Sequence, residues 1–128
     1  MDRVRSETYQ GRRILIVDGT DATAETYADI LRQGAAAIAQ EPLGSVLLAT
    51  VVTRARYGAG AAERIKAYST AIRPHVQASA VVGLSPLQRV IFTAIRPFLH
   101  ASVRDFATLA EAREWLVRTA AGPGAGGR

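Results

Sequence analysis

Gly83-Leu84-Ser85-Pro86 follows an apolar run and precedes a helical pattern, the place where a backbone can offer an anion site. Glycine has no Cβ to keep a ligand off the main chain. The first amides of a helix lack intrahelical acceptors and lie at the positive end of its dipole. Ser85 adds a hydroxyl donor. The same four residues also make an ordinary turn, with Ser85 as N-cap and Pro86 preset at the first helical position. The longer glycine patterns of phosphate loops are missing. Asp18 closes the first apolar run, where a carboxylate can do general acid–base work if a titratable partner stands beside it. Its loop, Asp18-Gly19-Thr20, supplies no histidine or lysine, so a turn or capping role competes with catalysis. Asp18, Thr20, Gly83, Leu84 and Ser85 are the candidate ligand-binding residues.

Other chemistries lack their parts. There is no cysteine, which excludes disulfides, thiolate metal sites and thiol nucleophiles. His75 and His100 are not at metal-ligand spacing, and each reads as a surface residue at a turn. The sequence therefore predicts no catalytic residue, no metal and no cofactor. Arg54, Arg56, Arg64, Lys66 and Arg73 stand against Glu63 alone, while Asp18, Asp21, Glu25 and Asp29 crowd an earlier stretch. These are either two solvated faces or a docking surface that steers an acidic partner. Phe92 and Leu99, seven apart, extend the apolar arc of their helix. They lie under the C-terminal helix or join an interface, homodimeric or otherwise, and the arc is wide enough to cover a lipid-like ligand.

The chain of 128 residues has room for one domain with its own core, and 48% hydrophobic against 21% charged residues is an ordinary globular balance. A net charge of +5 and a pI near 10.4 suit an acidic partner. No recognition motif or aromatic stacking set for nucleic acid accompanies them, so no specific nucleic-acid partner is predicted. Of the 16 basic residues only Lys66 is lysine, a bias of GC-rich bacterial genomes rather than a phosphate signature. The longest uncharged stretch, residues 74–88, falls short of the roughly 20 apolar residues of a membrane span. With no signal-peptide core at the N-terminus, the expectation is a cytoplasmic protein.

Four apolar runs alternate with four helical patterns. Ile14-Leu15-Ile16-Val17 and residues 46–52 read as strands buried on both faces. Residues 78–82 form a third strand of small side chains, and residues 102–106 alternate polar and apolar as an edge strand does. Tyr27, Ile30, Leu31, Ala35 and Ile38 make the buried stripe of the first helix, capped by Thr20 or Asp21. Ala61, Ile65, Tyr68 and Ile72 line the second, which Pro74 stops. Leu87, Val90, Ile91, Ala94, Ile95 and Phe98 give the third its stripe. Thr108-Leu109-Ala110-Glu111 is a capping-box start for the fourth, with Ala112, Trp115 and Leu116 inward. Such alternation predicts a single α/β domain over residues 9–119, mainly parallel, with four strands in the order 2-1-3-4. That order creates a switch point, with a crevice between residues 18–20 and 83–85. Residues 1–8 read as an extension and 120–128 as a disordered glycine-rich tail.

Gly11-Arg12-Arg13-Ile14-Leu15-Ile16-Val17-Asp18, residues 42–52, Ala80-Val81-Val82-Gly83-Leu84, and the ending with Phe106, Thr108, Glu111, Trp115 and Leu116 resemble bacterial STAS/SEC14-like domain proteins. These belong to the anti-sigma-factor-antagonist-like family. The resemblance spans nearly all of residues 9–119 and implies a small, non-enzymatic α/β domain that binds a regulatory protein or, more distantly, a lipid or nucleotide. In phosphorylatable members, an aspartate-serine pair opens the helix after the strand that matches residues 46–52. Here the sequence is Val51-Val52-Thr53-Arg54, and Thr53 is the nearest hydroxyl to that regulatory position. The expectation is a STAS-like regulatory or protein-binding module, with a small-molecule carrier of a lipid or anion as the alternative.

Overall fold

A computed structural model describes residues 2–99 and 102–120. The strands are β1 (Val4–Tyr9), β2 (Arg12–Asp18), β3 (Val46–Val51), β4 (Val76–Val82) and β5 (Val103–Phe106). The helices are α1 (Ala24–Ile38), α2 (Ala61–Ile72), α3 (Pro86–Ile95) and α4 (Leu109–Ala120). All five strands join one sheet in the order β1-β2-β3-β4-β5; β1 runs antiparallel to β2, and the remaining pairs are parallel.

The fold is thus the expected α/β domain, with two corrections that share one cause. Residues 4–9, read as part of an extension, form a hairpin with β2 through Gln10 (φ 50°) and Gly11 (φ 79°). Two successive positive-φ residues are what a tight hairpin turn of the right twist requires. The hairpin occupies the outer edge of β2, so β2 cannot also pair with β4. Order 2-1-3-4 is excluded, and with it the switch-point crevice, because β3 lies between the loops that were to face each other.

Each crossover from β2 to β5 steps one strand in the same direction, which places α1, α2 and α3 on one face when all are right-handed. Alternation along the strands then divides the core. Leu15, Val17, Leu48 and Val52 pack with Tyr27, Ile30, Leu31, Ile38, Tyr68 and Ile72 of α1 and α2. Ile14, Ile16, Leu47, Ala49, Val51, Ala78, Ala80 and Val82 pack with Ala112, Leu116 and Val117 of α4. The small Ala49, Ala78 and Ala80, all fully buried, let α4 lie close to the sheet. Helix α1 is capped by Thr23 rather than by Thr20 or Asp21, its side chain accepting from the Thr26 amide. The capping box of α4 is present, with Glu111 N donating to Thr108 Oγ1 and Thr108 N to Glu111 Oε1, both at 3.2 Å.

Helix α3 is rotated from its expected phase. Its buried side chains are Gln88, Phe92 and Ile95, whereas Leu87 is 71% and Val90 65% exposed. Phe92 therefore packs inward on the sheet face shared with α2, neither under α4 nor at a surface, and its place in the expected docking surface is withdrawn. Gln88 accounts for the phase. Its Nε2 donates to Val52 O (3.1 Å) and Ala55 O (2.9 Å), and its Oε1 accepts from Ser85 N (2.8 Å). A buried amide satisfied at both ends fixes the helix more firmly than one further apolar contact would. Among the described residues, no helix is long and apolar enough to cross a membrane. The expected disordered tail, apart from Ala120, and His100 lie outside the described residues.

Candidate functional site

Parallel strands end together, so the loops after β2, β3 and β4 meet along one edge of the sheet, where α3 begins. Backbone bonds lace them: Gly19 N to Val51 O (2.7 Å), Asp21 N to Thr53 O (2.9 Å), Arg56 N to Ala22 O (2.8 Å) and Val52 N to Val82 O (2.9 Å). The β3 loop carrying Thr53 is the middle of the three. It separates Asp18 and Thr20 from Gly83, Leu84 and Ser85.

Asp18 makes an aspartate turn. Its Oδ1 accepts from Thr20 N (2.9 Å) and Thr20 Oγ1 (2.6 Å), and its Oδ2 accepts from Arg5 Nη1 (3.1 Å). Burial pushes its carboxyl pKa up, but the bonds from Thr20 and Arg5 outweigh burial and hold it below the usual carboxylate range. A carboxylate so engaged is a structural anion, not a proton acceptor in waiting. Arg3, just before β1, completes the loop, its Nη1 donating to Thr20 O at 2.6 Å.

The amides at the start of α3 are also engaged. Gly83 N donates to Phe106 O (2.9 Å), Ser85 N to Gln88 Oε1, and Gln88 N to Ser85 Oγ (3.2 Å). Ser85 and Gln88 form a full capping box, with Pro86 at the first helical position. Gly83 has φ +85°, and a Cβ built on it would stand 2.1 Å from Thr53 Oγ1. The glycine thus serves the close approach of the β3 loop, and Thr53 and Gly83 form the contact at the root of α3.

The basic residues of the β3 loop do not act as a block. Arg54 forks onto Asp21, with Nε to Oδ1 at 2.6 Å and Nη2 to Oδ2 at 3.1 Å, and this bonding lowers the Asp21 pKa. Arg56 is exposed, and Arg64 reaches back over residues 58–60. His75 lies at the opposite end of the sheet, its Nδ1 2.8 Å from Glu41 O. Among the described residues, no group of three His, Asp or Glu side chains could hold a metal ion.

A cavity of about 60 Å³ lies between the sheet, α2 and α3, beneath the apolar arc of the third helix. Tyr57, Tyr68, Phe92, Ile95 and Leu99 are among its walls, with Thr50 and Ser79 on its floor. Tyr27 and Tyr57 stack with ring centroids 5.3 Å apart and planes 13° from parallel. Burial raises all three tyrosine pKa values, that of Tyr68 to about 12. The three phenols stay neutral and present hydroxyls within an apolar shell.

A SpoIIAA-like family profile matches residues 16–117. An uncharacterised protein of the DUF3478 family from Shewanella loihica PV-4, described as having a SpoIIAA-like fold, superposes with a TM-score of 0.64. It shares 18% identity over 88% of this chain and 91% of its own. No curated protein is detectably similar in sequence.

Proposed function

We propose, from the premise that the chain belongs to the SpoIIAA-like family, that it is a non-catalytic, cytoplasmic binding module whose partner is a regulatory protein. The observation that carries this reading is the outer face of α3. A helix that closes the core with Gln88, Phe92 and Ile95 leaves Leu87 and Val90 in water, beside Pro86 and Ala94. Exposed apolar side chains gathered on one helix face mark an interaction surface more than a solvated one. The engaged state of Asp18 and of the Gly83 and Ser85 amides supports a binding rather than a catalytic role. Affinity purification of the tagged protein tests this against a Leu87→Ser/Val90→Ser variant and a Leu43→Ser control. Leu43 is 75% exposed but lies outside α3. A partner retained by wild type and control and lost from the α3 variant supports the reading; identical partner sets for all three overturn it.

Thr53 is where the family resemblance places a regulatory hydroxyl. A phosphate on Thr53 would add close to two negative charges against Gly83, at the root of α3. Loss of partner binding in Thr53→Asp, but not in Thr53→Ala, supports such a switch; equal binding by both removes it.

The cavity beneath α3 favours a second reading, a carrier of a small apolar molecule. At about 60 Å³ it has room for a few waters, so a larger ligand requires α3 to move outward. Native mass spectrometry of freshly purified protein decides the matter: a retained non-covalent mass supports the carrier, and a bare chain argues against it.

A further inference from the structure

We infer that the outer face of α3 receives an acidic, amphipathic segment of the partner protein, an inference that rests on the protein-binding reading above. The first ground is charge. Between Glu63 and Asp105 the sequence contains no acidic residue, while Arg64, Lys66, Arg73, Arg89, Arg96 and Arg104 are all basic. The chain's net charge of +5 originates in this stretch, the rest being close to neutral. Arg104 lies over Trp115 on the α4 side of the sheet. Of the others, Arg64, Lys66 and Arg73 lie on or just after α2, with Lys66 paired to Glu63, whereas Arg89 and Arg96 stand on α3 and at its C-terminal end, beside the exposed face.

The second ground is shape. An open depression of about 590 Å³ runs along α3, lined by Leu84, Pro86, Arg89, Val90 and Thr93. Arg89 and Arg96 are seven residues apart and share one edge of the helix, roughly 10 Å from each other along its axis. Arg89 donates to Asp105 at 2.6 Å, and Arg96 lies over the Phe92 ring and donates to Val103 O at 3.1 Å. These contacts hold each guanidinium in place and leave donors for an incoming carboxylate, since arginine carries five. The matching segment is a helix with carboxylates two turns apart for Arg89 and Arg96 and apolar residues along one flank, to lie in the depression on Pro86 and Val90.

Two other occupants fit less well. An interfacial membrane helix needs a broad apolar face, but Phe92 and Ile95 point inward. A second copy of this chain would bring the basic stretch against itself.

A photo-crosslinking amino acid at position 90 of the full chain, expressed in its native cell, tests the inference when the adducts are mapped by mass spectrometry. The expected adduct is a peptide rich in Asp and Glu with interspersed apolar residues. Its yield should fall at least about fivefold in Arg96→Glu, and similarly in Arg89→Gln should Arg96→Glu prove misfolded by circular dichroism. Arg12→Glu, on distant β2, should leave it unchanged. A basic or uncharged peptide, a lipid adduct or a peptide of this chain overturns the inference. A silent position 90 with protein captured from position 54 refutes the inference and α3 as the binding face, while the chain remains a protein-binding module. Silence at both positions removes both.

Discussion

Replacing Gly83 with alanine should test how the root of α3 is built. Two costs arise. At φ +85° an L-residue is strained by roughly 1–2 kcal/mol. The added Cβ also stands 2.1 Å from Thr53 Oγ1 and 3.1 Å from Thr53 Cβ, where contacts under 3.0 Å essentially never occur. The β3 loop must therefore retreat by about 1 Å, an overpacking cost of about 1–3 kcal/mol. Because Thr53 is β-branched, rotating its side chain brings a methyl group near the same space. Gly83→Ala should thus lose about 2–5 kcal/mol in urea unfolding. Thr53→Ala removes the offending oxygen and leaves the 3.1 and 3.2 Å contacts to Cβ and Cα of residue 53, so in that background the glycine change should cost about 1–2 kcal/mol. The coupling, about 1–3 kcal/mol, is the measure of the contact. Equal costs for Gly83→Ala in both backgrounds would show that the loops do not touch as described and would refute the reasoning.

Gln88→Leu should destabilise by about 2 kcal/mol or more in urea unfolding, because it removes three hydrogen bonds and strands Ala55 O and Ser85 N, while Val52 O keeps the Ala55 amide. A loss below about 1 kcal/mol would mean that Gln88 does not set the phase of α3. Leu87→Ser/Val90→Ser should change unfolding stability by less than about 0.5 kcal/mol per site, since both side chains are largely exposed. A larger loss would place them in the core. Alkaline unfolding should report the cavity tyrosines. Tyr68 ionises near 10 when unfolded and about 12 when folded, so its contribution is intact below pH 10 and is lost as pH rises from 10 to 12. That loss is roughly 3 kcal/mol, and Tyr68→Phe should flatten the decline in this window; an unchanged profile would contradict the burial of Tyr68.

The strands were legible in the sequence because continuous β-branched runs such as Ile14 to Val17 have few alternatives, and Pro74 and the Thr108–Glu111 box mark helix ends chemically. The hairpin strand was missed because Val4 to Tyr9 carries five charged or hydroxyl side chains in succession, Arg5 to Tyr9, and its turn is Gln10-Gly11 rather than a stronger hairpin dipeptide. That omission also produced the wrong strand order, since an unclaimed edge on β2 left room for β4. The phase of α3 was ambiguous because apolar residues cover more than half of its circumference. Counting them selects the stripe through Leu87 and Val90. The structure selects the other, through a hydrogen-bonded glutamine that no apolar periodicity can reveal. Asp18, Gly83 and Ser85 were found at the loop edge, but their engagement with Thr20, Phe106 and Gln88 depends on contacts across strands and within the cap, which spacing does not specify.

The most direct test of a binding module that works through α3 is backbone amide mapping by NMR, with the affinity-purified partner added to labelled protein. The account predicts shifts concentrated at residues 84–96, with the β1–β2 hairpin and α4 unmoved. Shifts concentrated at Asp18, Thr20 and the β2 loop, with residues 84–96 silent, would contradict it.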